Sequence, residues 1–426
     1  MSTHAMPEAV RRDQHSRVSS RATPGFLERL SDTAGGMLLG VGVFALSFYV
    51  LFTNEGRALR TTASLNEGLS KVVPLNPASE PDFLNNNKLV HLSAVLQTSQ
   101  SLHDPNYRIE VKAVKLKREV EMYQWVEHQE SRDYQEDGET KTETTYTYTT
   151  EWRSEVINSR NFDKEIGHVN PSAMAVESVT VVASDVWVGS LSLSKGLVDK
   201  ISNFQRLHLG TLSPDPFLTV HGDYFYHTAQ PNRPEVCACT HTDTHTRSHT
   251  LTDTIVLHFL KVGDVRVSFS YAGLSGEGTY PGPAQMVSVV AMQKDGRLVP
   301  YKTTSGDHIE ILYLEELSAQ EVFEREHQMN SMMTWALRAA GWALMFLGIS
   351  LATRIVHTLV DWLPLVRDVV NIGLRLFALC VSCSLSLLTI AAGWLFYRPL
   401  VAGGIAALAL LPVLLARSRA PTKKTE

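Results

Sequence analysis

Two cysteines and three histidines fall within one short segment, and no other group in this sequence looks so much like a metal site. They are Cys237, Cys239, His241, His245 and His249. Thiolates and imidazoles are the usual ligands of structural zinc, but C-x-C followed by H-x-x-x-H lacks the loop spacing of known structural sites. The Thr-His alternation around them is what a repeat of A and C bases encodes. We therefore predict no metal here and interpret residues 237–262 as a repeat-derived insert, either a disordered loop or an artefact of the gene model.

The other candidate reactive side chains are isolated. Cys380 and Cys383 match C-x-x-C, but they lie in an apolar run, whereas a redox pair needs a solvated helix N-terminus that stabilises the thiolate. His168 could act as a general base, although a single histidine is more often structural. The sequence contains no P-loop, dinucleotide fingerprint or nucleophile–base–oxyanion set. We predict a non-enzymatic protein without a cofactor, and a lumenal enzyme that uses His168 is the alternative.

Four long apolar runs dominate the elements that would position any site. They cover residues 34–52, 334–353, 376–397 and 399–416. A hydrocarbon core about 30 Å thick takes roughly 20 residues of helix, so these runs are long enough to span a bilayer. A cleaved signal peptide describes the first run poorly, because a long basic tail precedes it and no A-x-A site follows. The sequence predicts four transmembrane helices.

Basic residues at both ends predict the orientation of these helices. Residues 1–33 and 417–426 form basic tails, of which residues 1–23 are polar without an apolar period and are predicted to be disordered. An even number of crossings places both tails on the same side. Because basic flanks favour the cytoplasmic side, we expect both termini in the cytosol or nucleoplasm and residues 53–317 in the lumen or perinuclear space. The net charge of −5 gives no reason to expect nucleic-acid binding.

The region between the first two runs is predicted to be rich in β-strands. Val114, Leu116, Val120, Met122 and Val126 share one parity, and a second alternating stretch contains Tyr146, Tyr148 and Trp152. The polar residues 128–140, which include Asp137-Gly138, are predicted to connect the two stretches as a hairpin. Further strands are predicted within residues 179–188, 217–226, 265–271, 286–292 and 309–314. The fold class is therefore an α+β integral membrane protein with four transmembrane helices and a large β-rich lumenal domain between the first two.

A helix is predicted to join this domain to the second span. Ser318 and Glu321 form a capping-box pattern, and no proline follows before residue 353. One helix over residues 318–353 would be roughly 50 Å long at 1.5 Å per residue, and it would couple the domain rigidly to the membrane. A break near Asn330-Ser331 is the alternative.

The remaining features concern the membrane. Residues 355–375 are amphipathic and are predicted to lie in the headgroup plane, with a kink or two short helices at Pro364. No ionisable residue lies inside a span, which counts against a transporter, and arginines such as Arg338 and Arg398 at the edges are explained by snorkelling. Small residues in the last two spans predict close helix packing; they are Ser382, Ser384, Ser386, Gly393, Gly403 and Gly404.

The assembled chain resembles the LUMA family, transmembrane protein 43, over nearly its whole length. The stretches that carry the resemblance are PGFLERLSDTAGGM (24–37), LSFYVLFTNEGRAL (46–59), VEMYQWVEHQESRDYQEDG (120–138), EWRSEVINSRNFDKEIGHVNPSAMAVES (151–178), DVRVSFSYAGLSG (264–276), TLVDWLPLVRDVVNIGL (358–374) and AAGWLFYRP (391–399). In the family, the residues that match 234–236 run directly into those that match GDVRVSFSY. Residues 237–262 are thus an insertion relative to the family as well.

The resemblance implies a place and partners that the residues alone do not reveal. It implies a four-pass protein of the endoplasmic reticulum and inner nuclear membrane with a large lumenal domain. It also implies self-association and binding to emerin and to A- and B-type lamins in the maintenance of nuclear-envelope structure. We therefore expect a membrane scaffold associated with the lipid bilayer, and a channel component or regulator is a second alternative.

Overall fold

The computed structural model describes residues 13–22, 26–78, 82–136, 139–209, 219–227, 260–275, 281–356 and 364–399. The chain divides into two compact units. The first, here called the sheet unit, comprises Met1–Thr23, Pro77–Glu80 and Ala94–Val287. The second, here called the helix unit, comprises Pro24–Asn76, Pro81–Ser93 and Ser288–Glu426.

The strands are numbered in chain order. They are β1 Asp13–Ala22, β2 Val73–Pro74, β3 Leu89–Gln97, β4 Leu102–Asp104, β5 Ile109–Val111, β6 Ala113–Glu136, β7 Glu139–Arg153, β8 Val179–Val182, β9 Trp187–Val188, β10 Leu191–Leu193, β11 Gln205–Arg206, β12 Thr219–His221, β13 Tyr224–His227, β14 Val265–Leu274, β15 Met286–Lys294, β16 Arg297–Val299, β17 Tyr301–Lys302, β18 His308–Ile309 and β19 Ile311–Tyr313. The α-helices are α1 Phe26–Lys71, α2 Lys195–Lys200, α3 Ala319–Ala352 and α4 Pro364–Tyr397, and 3₁₀ turns cover Phe83–Asn85 and Ser159–Asn161.

The sheet unit is built on an eight-stranded sheet in which β6 is central. The order is β1-β7-β6-β14-β13-β12, with β8 also on β6 and β11 also on β14, and every pairing between these strands with a described register is antiparallel. Val114, Leu116, Val120 and Met122 are buried, as their shared parity predicts, and Phe269 of β14 is buried as well. The alternation thus located one buried face correctly.

The predicted hairpin is confirmed, but its arms are longer than predicted. β6 and β7 stay paired from Met122↔Arg153 to Glu136↔Glu139, so most of the predicted connection 128–140 is strand. Polar contacts join the exposed part of the ribbon: the Thr142 hydroxyl donates to Asp133 at 2.7 Å, and Lys141 donates to Glu136 at 2.8 Å. A ribbon exposed on both faces needs no apolar residues, because its ladder is formed by the backbone, so a hydrophobic pattern could not reveal it.

Residues 13–22 correct the prediction of an unstructured basic tail. They form β1, which pairs with β7 from Asp13↔Tyr148 to Ala22↔Glu139. The His15 ring lies 5.0 Å from that of Tyr146, and the His15 side chain contacts Asp163 at 2.6 Å. The prediction rested on the lack of an apolar period, but an edge strand can be held by its backbone and by charge complementarity.

The helix unit contains longer helices than the predicted spans. α1 has 46 residues, so residues 53–71, predicted to begin the lumenal domain, continue the first helix. α3 runs unbroken through Asn330-Ser331, and both hydrogen bonds of the Ser318–Glu321 capping box are present, so the prediction of one helix is confirmed. Within the described part of the chain, three helices are long and apolar enough to cross a membrane, in Gly35–Lys71, Ala319–Val356 and Val369–Tyr397.

Residues 364–375 of the predicted interfacial segment 355–375 belong to the same helix as the third span. Pro364 begins α4, which then continues without interruption to Tyr397. Proline is tolerated in the first turn of a helix because no intrahelical partner is lost there, so Pro364 starts the helix rather than kinking it. Residues 357–363 and the predicted fourth span, 399–416, lie outside the described residues except for Pro399.

Two apolar clusters lie along the antiparallel pair α1 and α3. One cluster joins Leu65 of α1 and Phe323 of α3 to strands β3, β15, β18 and β19. The other joins Leu51 of α1 to Met345 of α3 and to Ala378 of α4. Both helices thus connect a strand-built region to a bundle that includes α4.

Glycines allow α1 and α3 to approach closely in the bundle. A Cβ added at Gly348 would lie 2.7 Å from the backbone nitrogen of Phe44, and one added at Gly341 would lie 2.6 Å from the Leu51 side chain. The contact at Gly348 is with backbone, which cannot move aside. Small residues of this kind commonly set the distance between membrane helices.

We predict that Gly348→Leu separates α1 from α3 and lowers the free energy of unfolding by about 1–3 kcal/mol, the usual cost of overpacking. Gly42→Leu is the matched control, because an added Cβ at Gly42 of α1 meets nothing within 4 Å. Thermal unfolding of the two purified variants in lipid nanodiscs measures the difference. Equal destabilisation of both would contradict the close approach at Gly348.

Candidate functional site: a polar junction between helices

A stripe of polar residues on α3 faces a polar stretch on α1. Asn330, Thr334 and Arg338 recur every four residues, which puts them on one face of α3. Opposite them, Asn54 and Glu55 follow the apolar run of α1 directly, and both are buried. We call these residues, together with Arg57 and Trp394, the polar junction.

A buried ion pair forms one half of the junction. The Arg338 guanidinium donates to both oxygens of Glu55, from Nε to Oε1 at 2.7 Å and from Nη2 to Oε2 at 2.8 Å. The Trp394 indole N–H of α4 donates to Glu55 Oε2 at 2.8 Å. The Glu55 side chain is 4% exposed and that of Arg338 15%. A bidentate fork is the strongest and most directional arrangement for such a pair, so it ties three helices together at one carboxylate.

Arg57 forms the other half with neutral partners. Its guanidinium donates to Asn330 Oδ1 at 3.0 Å, and to Asn54 Oδ1 and Thr334 Oγ1 at 3.1 Å each. The Asn54 amide donates in turn to the Thr334 carbonyl at 3.1 Å. Asn330 Nδ2 donates to the Ala58 carbonyl at 3.1 Å. The two helices therefore share a continuous hydrogen-bond network.

The junction lies between the two apolar clusters along both helices. On α1 it follows Leu51 and precedes Leu65; on α3 it follows Phe323 and precedes Met345. Apolar contacts alone tolerate sliding of one helix along another, whereas directional hydrogen bonds are satisfied in one register only. The arrangement therefore fixes the register between α1 and α3 and attaches α4 to both.

The small residues predicted to pack the last two spans differ in whether the structure buries them. Ser382 and Ser386 are buried, and each hydroxyl donates to a carbonyl of its own helix, Leu379 and Cys383 respectively. Gly393 is buried, and a Cβ added there would lie 3.1 Å from the Glu55 side chain. Ser384 is exposed on the opposite face of α4, so its packing partner remains a prediction. Gly403 and Gly404 lie outside the described residues.

Sequence reasoning missed the role of Glu55 and assigned Arg338 to snorkelling. The ion pair gives a different explanation, because the Arg338 fork points to Glu55 rather than to solvent. A usable signal was present in the i, i+4, i+8 spacing of Asn330, Thr334 and Arg338, which a lipid-facing surface would not need. The second signal was the pair of opposite charges, Glu55 and Arg338, at the polar ends of the first two apolar runs.

His168, the candidate base of the alternative enzyme, is enclosed within the sheet unit. Its side chain is 1% exposed, its Nδ1 lies 2.9 Å from the Lys164 carbonyl, and its Nε2 lies 2.9 Å from Asp13. Its ring stacks on Tyr148 at 3.9 Å between centroids. Burial, and then the hydrogen bond to Glu127, raises the pKa of Tyr148, which keeps that hydroxyl protonated as a donor. In the structure, both ring nitrogens and one ring face of His168 are thus in contact, with Asp13 contributed by β1 and Lys164 and Tyr148 by the rest of the sheet unit.

The cysteines that the structure describes both lie on α4. Cys380 and Cys383 are free thiols on the exposed side of α4. Among the residues that the structure describes, no three His, Cys, Asp or Glu side chains come together as a metal site would require. Cys237, Cys239, His241, His245 and His249 lie outside the described ranges.

We predict that Glu55→Gln and Arg338→Met each lower the free energy of unfolding by about 3–5 kcal/mol, because each leaves a buried charge without its partner. The double variant should lose less than the sum of the two single losses, since it removes both charges. Thermal and chemical unfolding in nanodiscs measure the cycle. Lys71→Met is the control, because it removes an exposed lysine whose partner Glu67 keeps its hydrogen bonds from Thr304, and it should cost under about 1 kcal/mol. Additive losses would show that the pair is not coupled.

Comparison with known proteins places the chain in a family. The family model described as "Transmembrane protein 43" matches residues 122–399. Transmembrane protein 43 of Mus musculus and that of Homo sapiens are each 54% identical over 417 residues, which is 97% of this chain and 98% of each relative. The Drosophila melanogaster homologue is 32% identical over 369 residues, 85% of this chain and 89% of the homologue. No solved structure matches. The chain belongs to the transmembrane protein 43 family.

Proposed function

We propose that this protein is a multi-pass scaffold of the endoplasmic reticulum and inner nuclear membrane that holds membrane protein complexes together at the nuclear envelope. One observation carries the proposal. α1 and α3 each run unbroken from a strand-built region into the helix bundle, with a register-fixing junction between the two. Helices coupled in this way transmit position and orientation from one side of a membrane to the other, which is what a scaffold requires.

The junction favours a static role over transport or conduction. Glu55 already accepts three charge-assisted or polar hydrogen bonds, from Arg338 Nε, Arg338 Nη2 and Trp394 Nε1. A proton relay or ion pathway needs a group that exchanges partners during its cycle. The junction also lies at the end of the apolar segment of α1 rather than at its centre. These features support a structural role, and the enclosed His168 gives no support to an enzyme.

The proposed orientation places the sheet unit in the lumen and both termini in the cytosol or nucleoplasm. The directions of the helices agree with it, because the polar ends at Glu55, Arg338 and Trp394 meet while the apolar runs of α1, α3 and α4 extend away from them. The pairing of β1 with β7 is the competing observation. That ladder needs both strands in one compartment, whereas a single crossing by α1 separates them.

Glycosylation mapping distinguishes the two arrangements, because the chain has no N-x-S/T sequon of its own. Asp295→Asn with Arg297→Thr creates a sequon in the turn between β15 and β16, and Arg17→Asn creates one in β1. We predict that the first variant gains a glycan sensitive to endoglycosidase H and that the second gains none. Glycans on both would favour the ladder over the crossing of α1. A glycan on Arg17→Asn alone would reverse the proposed orientation.

The proposed partners are emerin, A- and B-type lamins and further copies of this chain. A scaffold needs surfaces that its own fold leaves open, and α4 presents such a face through Leu387, Leu388, Leu395 and Phe396, all more than half exposed. In a bilayer this face meets lipid or another protein. Self-association through it would increase the number of partner sites in each assembly.

We predict that tagged protein isolated from digitonin-solubilised nuclear envelopes brings down emerin and both lamin types. Gly348→Leu should bring down less because its bundle is disturbed, while Gly42→Leu should match the unmodified protein. Quantitative mass spectrometry of the isolated material provides the measurement. If emerin and lamins are no more abundant than with an unrelated multi-pass protein of the same membrane, the proposed partners are wrong.

A further inference from the structure

A cavity of about 210 Å³ lies beside the polar junction in the helix unit. Its wall is formed by α1, α3 and the end of α4. Arg338, Arg398 and His327 contribute basic groups, and Trp335 and Trp394 contribute aromatic rings. The volume holds a phosphate group together with several waters, each of which takes about 30 Å³.

The charges around this cavity do not cancel. Glu55 is its one acidic residue among those described, and it is already bound to the Nε and Nη2 atoms of Arg338. Arg398 and His327 have no carboxylate partner among the described residues. Arg398 lies over the Trp394 ring, with its guanidinium carbon 5.4 Å from the ring centroid. An Arg398 guanidinium held on an aromatic face keeps its N–H groups available for an anion.

The position of the cavity along the three helices indicates which class of anion it would bind. The apolar run of α1 ends at Phe52, and that of α3 begins beside Trp335, which is 65% exposed. Trp394 and Arg398 lie at the corresponding end of α4. Tryptophan and arginine at the end of a membrane helix mark the depth of the lipid headgroups. A phosphate found at this depth is most often that of a phospholipid.

We propose that this cavity binds the phosphate of an anionic phospholipid. Arg398 supplies a forked pair of donors, His327 supplies a ring nitrogen, and Arg338 contributes Nη1, which lies outside its fork with Glu55. The acyl chains leave along the apolar surfaces of α1 and α4. The proposal rests on the proposed crossing of the membrane by α1, α3 and α4. The lipid site extends the proposed scaffold function, because the bound phosphate would join the contacts that hold α1, α3 and α4 together.

Native mass spectrometry of protein released from nanodiscs tests this proposal. The nanodiscs contain either phosphatidylcholine alone or phosphatidylcholine with phosphatidylinositol. We expect the unmodified protein to retain phosphatidylinositol and Arg398→Gln to retain it about tenfold less, the effect of losing one charge-assisted contact. Arg398→Lys, which keeps the charge but loses the fork, should fall between them. Arg375→Gln is the control, because Arg375 is exposed just before the apolar run of α4 and does not line the cavity.

Each result bears on the proposal. Equal retention of phosphatidylinositol by Arg398→Gln and Arg375→Gln would overturn it, as would retention of phosphatidylcholine to the same extent. Saturable binding of inorganic phosphate by protein in phosphatidylcholine nanodiscs would assign the cavity to a soluble anion and overturn the lipid assignment. Gel filtration shows whether Arg398→Gln is folded. If it is unfolded, Arg398→Lys takes its place in the comparison with Arg375→Gln. Glycosylation mapping does not depend on Arg398, so failure of the membrane topology is distinguishable from failure of the lipid site.

Discussion

The pairing of Arg338 with Glu55 is the interaction on which the organisation of the helix unit depends. A carboxylate that is 4% exposed is costly to bury, and the cost is offset only when its hydrogen-bonding capacity is filled. Here α3 supplies two donors and α4 supplies the Trp394 N–H. Because no other register satisfies these groups, the helices cannot slide without exposing a charge to an apolar surface. Specificity of arrangement, more than net stability, is what such a pair contributes.

Apolar packing acts on either side of this constraint. The cluster at Leu51 and Met345 belongs to the bundle, and the cluster at Leu65 and Phe323 belongs to the strand-built region. Since α1 and α3 pass through both, a change in one region reaches the other along two rigid helices and not through a flexible linker. Gly348 serves the same end, because the helices must approach closely for the side chains of the junction to meet. The fold is thus suited to holding parts in fixed relation.

The sequence predicted the elements whose signal is local and missed those that depend on pairing. The Ser318–Glu321 capping box and the parity of Val114 to Met122 reflect local geometry, and both predictions are confirmed. The extended hairpin and β1 were missed because backbone ladders with exposed side chains leave no hydrophobic period. The continuation of α1 over residues 53–71 was missed because this half of the helix is polar and is stabilised by α3, which is distant in sequence. Glu55 was visible as a charge, but its partner could be identified only in three dimensions.

The β1–β7 ladder and a single membrane crossing by α1 exclude each other, and the free energies of the two arrangements can be compared. A net gain of about 0.5–1.5 kcal/mol for each ladder hydrogen bond is largely offset by the 1–2 kcal/mol that ordering each residue costs. Leu38, Leu39 and Leu46 of α1 are each at least half exposed, so in water this helix presents a continuous apolar surface. Each such residue gains several tenths of a kcal/mol in a bilayer, and the run contains many of them. These terms favour the crossing proposed for α1, and in that arrangement β7 would lack the neighbour that β1 provides in the structure.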